Sequence, residues 1–264
     1  QFLADGAWTK RSHVGQAAQN GLIAATLAAE GFKGPKEAIE GKRGFLSAYA
    51  PAADAAKVTA GLGTAWETLR LAVKPYPSCR YTHAAMDALA MLRRDHDIRP
   101  EDIEAVEIGL PETGWKIVGE PEDDKRNPQS VVDGQFSMPF CAAVVLREGT
   151  LSWDHYATHL TDPATRALGQ RVSTIVDPQA QAAYPANMAG VARVTARGNT
   201  YEAFVEVPKG EPGNFMDESE FMDKFNTLCG PYMSKQAMDR FARGLLTLDQ
   251  ANSVASVLGY GQAH

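Results

Sequence analysis

Two short basic segments carry the residue types and spacing best suited to chemistry in this chain. The first is Thr9-Lys10-Arg11-Ser12-His13, and the second is Lys74-Pro75-Tyr76-Pro77-Ser78-Cys79-Arg80-Tyr81-Thr82-His83. Each precedes an apolar segment with helical spacing, so backbone N–H groups and the positive end of a helix dipole would add to the side-chain charge. The sequence therefore predicts two halves of a site for a small anion, such as a substrate carboxylate.

The two histidines that end these segments, His13 and His83, are the candidate acid/base residues. An unperturbed imidazole titrates close to neutral pH and can give or take a proton; the alternative for each is a histidine that caps a helix or is satisfied in the core. Arg80 can hold a carboxylate with two parallel N–H bonds, or it can form an interdomain salt bridge. A nucleophilic pair of Cys79 with His83 is a further alternative, but no third orienting residue accompanies it.

The composition narrows the ligands that such a site can serve. The 264 residues carry a formal net charge of −6 and a pI near 5.6, which gives no general attraction for nucleic acid or an acidic membrane. No run approaches the roughly 20 apolar residues of a membrane span, and the first residues lack the layout of a signal peptide. We expect a cytoplasmic protein.

The cysteines and the remaining histidines give no clear metal pattern. Cys79, Cys141 and Cys229 are few and widely spaced, which is typical of a reducing compartment and predicts neither disulfides nor a structural metal. His155 and His159 are four residues apart, as metal ligands on a helix can be. Because no third ligand lies near them, we expect these two histidines to be solvated.

Helical regions at both ends and an α+β region between them are predicted to position these residues. The segment from Val14 to Glu30 keeps a wide apolar face almost free of charge, which predicts a helix that is buried on most sides and stops at Gly31. Further helices are predicted at 34–37, 44–49, 84–94 and 136–146, and in the tail with caps at Asp217, Ser234 and Asp249. Strands are predicted at 69–74, 103–110, 173–177, 191–196 and 201–207, with a hairpin at Gly198-Asn199 and a surface loop over the Pro-, Glu- and Asp-rich residues 111–130.

These elements predict an α+β fold with two domains. Residues 1–69 and 208–264 are assigned to a split, partial, all-helical domain. Residues 70–207 are assigned to an inserted α+β lid domain.

Three strings together resemble the MmgE/PrpD family. They are Leu3-Ala4-Asp5-Gly6-Ala7-Trp8-Thr9-Lys10-Arg11-Ser12-His13-Val14-Gly15, the second basic segment, and Gln135-Phe136-Ser137-Met138-Pro139-Phe140. The resemblance continues in the same order through Pro208-Lys209-Gly210 and the terminal helices, so it covers essentially the whole chain. The family includes 2-methylcitrate dehydratase, cis-aconitate decarboxylase and iminodisuccinate epimerase. The resemblance implies a homodimer of two-domain subunits that acts on di- or tricarboxylates without a metal or an organic cofactor.

The resemblance also implies roles for the two leading lysines. Lys10 and Lys74 match substrate-binding lysines of the family, whereas the alternative is an ordinary exposed lysine. Removal of a proton beside a carboxylate builds an enolate-like dianion, so a catalyst needs fixed cations on the carboxylates and a base near the C–H bond. We therefore group Lys74 with His83 and His13 as the predicted catalytic residues.

Other predicted substrate-binding residues come from the same comparison. Gln135 and Ser137 resemble positions near the lid-side pocket, and they either bind a substrate hydroxyl or carboxylate or cap the helix after Asp133. Cys79 lies where decarboxylating relatives carry a histidine and dehydratase-like relatives often carry a cysteine, which favours dehydration. Phe140 stands where relatives often have a tyrosine, which predicts a divergent substrate.

One departure from the family concerns the beginning of the chain. Family members carry a long helical segment before this point, and it supplies an Asp and a His to their site. The resemblance leaves three interpretations: the chain is a fragment, a second polypeptide provides that half, or the activity has been lost.

We therefore expect a cofactor-independent hydro-lyase of the 2-methylcitrate type, acting on a small di- or tricarboxylate by proton abstraction beside a carboxylate. The alternatives are an epimerase or isomerase, or a decarboxylase, acting on a related polycarboxylate. A non-catalytic or half-site subunit that needs a partner chain is the alternative outside enzymes.

Overall fold

The computed structural model describes residues 7–50 and 52–261, and the boundary between its two compact units falls between Leu71 and Ala72. Residues 3–6 of the first family-like string lie outside the described residues. The predicted grouping of residues 1–69 with 208–264 in one domain, and of 70–207 in a lid, stays a prediction.

The first unit is helical. Its helices are α1 (Thr9–Ala29), α2 (Phe45–Tyr49) and α3 (Ala56–Thr59). Gly31 ends α1 as predicted: it has φ +88°, its N–H donates to the Ala28 carbonyl at 3.0 Å, and the N–H of Phe32 donates to the Leu27 carbonyl at 3.0 Å. A residue without a side chain takes this left-handed conformation at little cost, which is why glycine is favoured there.

Two predictions for the first unit are wrong. α1 was expected to be buried on most sides, but all of its residues are exposed, including the apolar Leu22 and Leu27. An apolar face shows what a helix can bury, whereas burial itself requires a neighbouring surface that the pattern does not specify. Residues 36–40 form a turn instead of the predicted short helix, and the N–H of Phe45 closes it onto the Ala38 carbonyl at 2.8 Å.

The second unit contains a mixed four-stranded sheet in the order β2-β1-β3-β4. The strands are β1 (Ile103–Leu110), β2 (Val172–Val176), β3 (Gly190–Ala196) and β4 (Asn199–Val205). β1 pairs with β2 in parallel and with β3 in antiparallel orientation. β3 and β4 form the predicted hairpin, and Arg197 and Gly198 at its turn have φ +54° and +72°, which suits the twist of adjacent strands. The α+β class is confirmed.

Helices cover this sheet and supply the core. They are α4 (His83–Asp95), α5 (Glu112–Val118), α6 (Glu122–Arg126), α7 (Val131–Gln135), α8 (Met138–Glu148), α9 (His155–His159), α10 (Pro163–Gly169), α11 (Pro178–Ala183), α12 (Glu218–Cys229), α13 (Lys235–Leu246) and α14 (Val254–Gly259). α4 packs on β3 and β4, and α8 packs on α4, α10 and β2. α8 is buried throughout from Met138 to Leu146, so the core lies between the sheet and these two helices.

Strand 69–74 is not present, and this prediction is wrong. Residues Glu67–Arg70 form a 3-10 turn, and Val73 makes one backbone bond, from its N–H to the Gly210 carbonyl at 2.8 Å. The prolines at 75 and 77 lack the N–H groups that would continue a ladder.

The loop predicted over 111–130 is also wrong, because it contains α5 and α6. Pro111 and Pro121 occupy the N-cap positions of these helices, and acidic residues fill both first turns. Proline and acidic side chains are compatible with a helix start as well as with a loop. The composition of residues 111–130 therefore did not distinguish helix starts from a loop.

The helix starts in the tail are mostly as predicted. Asp217 caps α12 in a capping box with Glu220, and Ser234 caps α13 by accepting from the Ala237 N–H at 3.3 Å. The cap predicted at Asp249 is wrong, because Asp249 lies within a 3-10 turn and α14 begins after Ser253. Within residues 7–50 and 52–261, helices that combine the length and apolarity of a membrane span are absent.

Candidate active site

The second basic segment forms a fixed corner that leads into α4. The Pro77 carbonyl accepts hydrogen bonds from the Gln135 side-chain amide at 2.9 Å and from the Tyr156 hydroxyl at 3.0 Å. The backbone of Gln135 accepts from the Cys79 N–H at 2.8 Å. Three bonds from two other elements therefore set the path of residues 77–79, just before α4 begins.

A close backbone contact brings a second motif, Pro208-Lys209-Gly210, to this corner. Gly210 has φ +86°, and a Cβ atom at this position would lie 1.9 Å from the Val73 carbonyl oxygen. Only glycine fits both constraints. The N–H of Lys209 also donates to the Asp87 carboxylate at 2.8 Å, which ties the motif to α4. The side chains of Lys74 and Lys209 therefore start from neighbouring points of the backbone.

Arg80 connects the motif to the start of α4. Its Nε and Nη2 atoms lie 2.8 and 2.5 Å from Glu211 Oε1, and its Nη1 donates to the Lys209 carbonyl at 3.4 Å. Nη1 also lies 3.2 Å from His83 Nδ1. The structure shows an ion pair of Arg80 within the second unit, whereas the predicted interdomain pairing and the role of Arg80 in gripping substrate stay predictions.

His83 is fully buried, and its contact with Arg80 determines which ring nitrogen carries the proton. Because a guanidinium N–H can only donate, Nδ1 accepts from Arg80 and the proton of the neutral ring lies on Nε2. Nε2 is buried and has no hydrogen-bond partner among the described residues. Burial lowers the pKa of His83 well below its ordinary value, the positive charges of Arg80 and Lys74 lower it further, and the Ser78 carbonyl opposes this only partly. His83 is neutral at neutral pH.

Tyr76 and Asp87 form a buried pair beside this histidine. The Tyr76 hydroxyl donates to Asp87 Oδ1 at 2.7 Å, and the Tyr76 ring meets the His83 ring edge to face at 5.2 Å between centroids. Burial, and then the Asp87 charge, raise the pKa of Tyr76. Burial also raises the pKa of Asp87, although the Lys209 N–H and the Tyr76 hydroxyl stabilise its charged form.

A cleft of about 580 Å³ opens next to this corner, and the second unit alone forms it. Three lysines line it: Lys74, Lys209 and Lys224. The Lys74 ammonium donates to the Ser78 carbonyl at 2.8 Å, and the Lys224 ammonium donates to the Lys74 carbonyl at 2.8 Å. Its remaining walls are Pro75, Tyr76, Pro77, Thr150, Leu151, Ser152, Trp153, Met216, Glu220, Asp223, Thr227 and Leu228.

The structure brings several of the predicted site residues together in this unit. Lys74 lines the cleft. Arg80 and His83 are outside its lining, but they contact each other, and the His83 ring contacts the cleft-lining Tyr76. Cys79 and Gln135 are joined through the backbone bond described above. The pairing of Cys79 with His83 as nucleophile and base stays a prediction.

Ser137 is fully buried and caps α8. Its hydroxyl accepts from the Phe140 N–H at 3.0 Å and donates to the Lys125 carbonyl. The capping alternative is therefore observed for Ser137, and its substrate-binding role stays a prediction.

Lys10 and His13 belong to the first unit. They lie three residues apart on α1, and both are exposed. Their predicted roles in carboxylate binding and proton transfer stay predictions.

Several residues of this corner were missed by sequence reasoning. Lys209 and Tyr76 stood inside motifs already noted, so their position in the motif was an available signal. Asp87, Glu211 and Lys224 had none, because only the fold brings them to residues 11 to 150 positions away.

The prediction of solvated histidines at 155 and 159 is wrong for His159. This residue is buried, with Nδ1 2.7 Å from the Thr165 hydroxyl and Nε2 3.2 Å from Glu148 Oε1. Burial lowers the pKa of His159. Among the described residues, the side chains capable of binding a metal form no group of three or more. The cysteines Cys79, Cys141 and Cys229 are free thiols.

Comparison with known proteins assigns the chain to a family. The MmgE/PrpD C-terminal domain matches residues 76–250, and the MmgE/PrpD N-terminal domain matches residues 1–57. The chain is 26% identical to a "Cis-aconitate decarboxylase-like protein oryM" from Aspergillus oryzae, over 94% of this chain and 54% of that protein. It is 25% identical to a "Cis-aconitate decarboxylase" from Aspergillus terreus, over 96% of this chain and 54% of that protein. The chain thus spans about half the length of the curated relatives it matches, and it belongs to the MmgE/PrpD family.

Proposed function

We propose that this chain forms part of a lyase that acts on a di- or tricarboxylate, most simply by eliminating water in the manner of 2-methylcitrate dehydratase. The observation that carries the proposal is the cleft into which Lys74, Lys209 and Lys224 converge beside a buried, neutral histidine. The chain as a whole is acidic, so this local concentration of ammonium groups favours a specific small anion over a general polyanion.

The chemistry follows from the charge that develops during proton removal. A base takes the proton from the carbon next to a carboxylate, and the electron pair moves into an enolate-like dianion that nearby ammonium groups stabilise. The C–O bond on the neighbouring carbon then breaks, and the departing hydroxide takes a proton to leave as water. Lys74 is proposed to hold the carboxylate at which the charge accumulates.

The state of His83 limits its role. With Nδ1 accepting from Arg80 and the proton on Nε2, a neutral His83 is suited to donate a hydrogen bond, and not to remove a proton. We therefore propose His83 as a catalytic hydrogen-bond donor. Arg80, Cys79, Gln135 and Ser137 remain proposed substrate-binding or positioning residues, and Lys10 and His13 remain proposed for carboxylate binding and proton transfer.

Decarboxylation is the second candidate, because the curated relatives are named for it. In this reaction the C–C bond to one carboxylate breaks, carbon dioxide leaves, and the carbanion takes a proton. The same lysines would stabilise the intermediate. Cys79, at a position where decarboxylating relatives carry a histidine, is the feature that supports dehydration.

A homodimer in the cytoplasm, working without a metal or an organic cofactor, completes the proposal. Three free thiols support a reducing compartment. Sedimentation of the purified chain would measure the oligomeric state.

The proposal is tested by incubating the full chain with 2-methylcitrate and with cis-aconitate and following substrate and products by NMR. Water elimination gives an unsaturated tricarboxylate, whereas decarboxylation releases carbon dioxide. Lys74→Ala is expected to lower turnover about 100-fold, because it removes a cation from the developing charge. Lys235→Ala is the matched control, since Lys235 pairs with Asp239 on its own helix at 2.9 Å. Neither turnover nor binding of any di- or tricarboxylate would refute the proposal, and turnover only after a family N-terminal segment is added would identify a half-site subunit.

A further inference from the structure

We propose that Lys209 and Lys224 are specificity-determining residues that receive a second substrate carboxylate, next to the one held by Lys74, and that Glu220 is an internal carboxylate that competes with it for Lys209. This inference rests on the proposed function and assigns a second part of the same cleft.

The ion pair of Lys209 with Glu220 shows what this part of the cleft can hold. Lys209 Nζ lies 2.9 Å from Glu220 Oε2, and both side chains are about one-third exposed. The same oxygen accepts from the Asp217 N–H at 2.8 Å in the capping box of α12. A carboxylate of the protein thus already occupies the position next to Lys209 where a substrate carboxylate would bind. Because the pair is partly exposed, exchanging one carboxylate for another costs little desolvation.

Lys224 lies one turn after Glu220 on α12 and lines the same cleft. Its ammonium donates to the Lys74 carbonyl at 2.8 Å, and it forms no ion pair with a carboxylate of the described residues. Burial lowers the pKa of Lys224, which means that its charged form is poorly solvated. An added anion would restore the lost stabilisation.

The charges around the cleft favour one more carboxylate. Three lysines face two acids, Glu220 and Asp223, so the lining is positive within a chain whose net charge is −6. A volume of about 580 Å³ lies within the range of roughly 300–1,000 Å³ typical of small-molecule sites, so it holds a compound with separated carboxylates. Lys74 would then hold one carboxylate of the ligand, and Lys209 with Lys224 would hold a second.

The test measures binding of citrate and succinate to the full chain by calorimetry, with Lys74→Ala, Lys209→Met, Lys224→Met and Glu220→Gln. Methionine keeps the aliphatic length of lysine without its charge. Glutamine at 220 can still complete the capping box but no longer competes as an anion. Lys235→Met is the matched control outside the cleft, and circular dichroism confirms that each variant is folded.

We expect Lys209→Met and Lys224→Met to weaken the binding of both citrate and succinate about tenfold, as for the loss of one charge-assisted contact. Glu220→Gln should tighten citrate binding several-fold, a gain that a merely structural role for Glu220 would not produce. If Lys74→Ala weakens citrate binding but the other three variants stay within about twofold of the parent, the inference is overturned and the proposed function stands. If Lys74→Ala also has no effect, both fail.

Discussion

The two units of this chain differ in what surrounds their apolar side chains. In the second unit, α4 and α8 bury most of their apolar residues against the sheet and against each other, with Met91 of α4 as an exposed exception. In the first unit, Gly41 and Gly44 are the buried residues of the described range, and α1 is exposed along its whole length. Among the described residues, only the second unit encloses a core of its own. The parts of the candidate site on α4 therefore rest on a packed framework, whereas Lys10 and His13 rest on a helix whose apolar face meets solvent.

Truncating one leucine in each unit should give the largest contrast. Leu89→Ala removes a fully buried side chain of α4 and is expected to cost about 3 kcal/mol in the free energy of unfolding. Leu22→Ala, on the exposed α1, is expected to cost less than about 0.5 kcal/mol. Urea denaturation followed by circular dichroism measures both. Similar costs for the two substitutions would show that α1 is buried in solution.

Two glycines with nearly identical backbone angles allow a sharper comparison. Gly31 has φ +88° and open space within 4 Å of the point where a Cβ would stand, whereas Gly210 has φ +86° with the Val73 carbonyl in the way. Gly31→Ala should lower the free energy of unfolding by about 1 kcal/mol, because alanine disfavours the left-handed conformation. Gly210→Ala should lower the free energy of unfolding by about 2 kcal/mol more, because the backbone at position 210 must move away from the Val73 carbonyl.

The same two variants also separate stability from site geometry. Gly210→Ala should weaken citrate binding, since it displaces Lys209 from Lys74. Equal costs of unfolding for the two alanines would contradict the close approach at Gly210.

Helix starts provide a smaller effect in the same comparison. Ser234→Ala removes the side chain that accepts from the Ala237 N–H and should cost about 1 kcal/mol. Trp8 precedes α1 without a side-chain cap, so Trp8→Ala should change stability by less than about 0.5 kcal/mol. Thermal unfolding of both variants checks this difference, and a larger loss at Trp8 would reveal a contact of the first unit in solution.

The buried His83 predicts a pH dependence that arises in the second unit. Its pKa is lower in the folded chain than in the unfolded chain, so the unfolded state binds the proton first as the pH falls. The free energy of unfolding should therefore fall as the pH drops below about 6.5, by up to about 1 kcal/mol per pH unit. Urea denaturation between pH 7.5 and 5 measures the slope, and Asp87, whose pKa is raised, contributes with the opposite sign where it titrates.

The control for this pH dependence is the second buried histidine. His83→Gln should remove most of the change in the free energy of unfolding with pH. His159→Gln should remove a further part of it, because burial lowers the pKa of His159 as well. A slope that His83→Gln leaves unchanged would mean that the ring is solvated or paired with an acid.

Local signals predicted much of this fold, and tertiary contacts account for the rest. The hairpin at Gly198, the stop at Gly31 and the caps at Asp217 and Ser234 depend on neighbouring residues, so the sequence indicated them correctly. α5 and α6 were missed because the residues that suit a loop also suit the first turn of a helix.

The candidate site divides in the same way. Lys74, Arg80 and His83 stand within one motif and were identified together. Lys224 and Glu220 lie on a helix about 150 residues later, with no local feature that sets them apart from other charged residues of an exposed helix face. Only the packing of α12 beside the corner gives them a role.

The parallel pairing of β1 with β2 has a consequence for the order of folding. The β3–β4 hairpin closes across two residues, whereas β2 can pair with β1 only after the chain from 111 to 171, including the buried α8, has returned across the sheet. Closing so long a loop is slow compared with forming a hairpin. In pulsed hydrogen exchange during refolding, amides of β3 and β4 should gain protection first and those of β2 last, and early protection of β2 would point to a different nucleus.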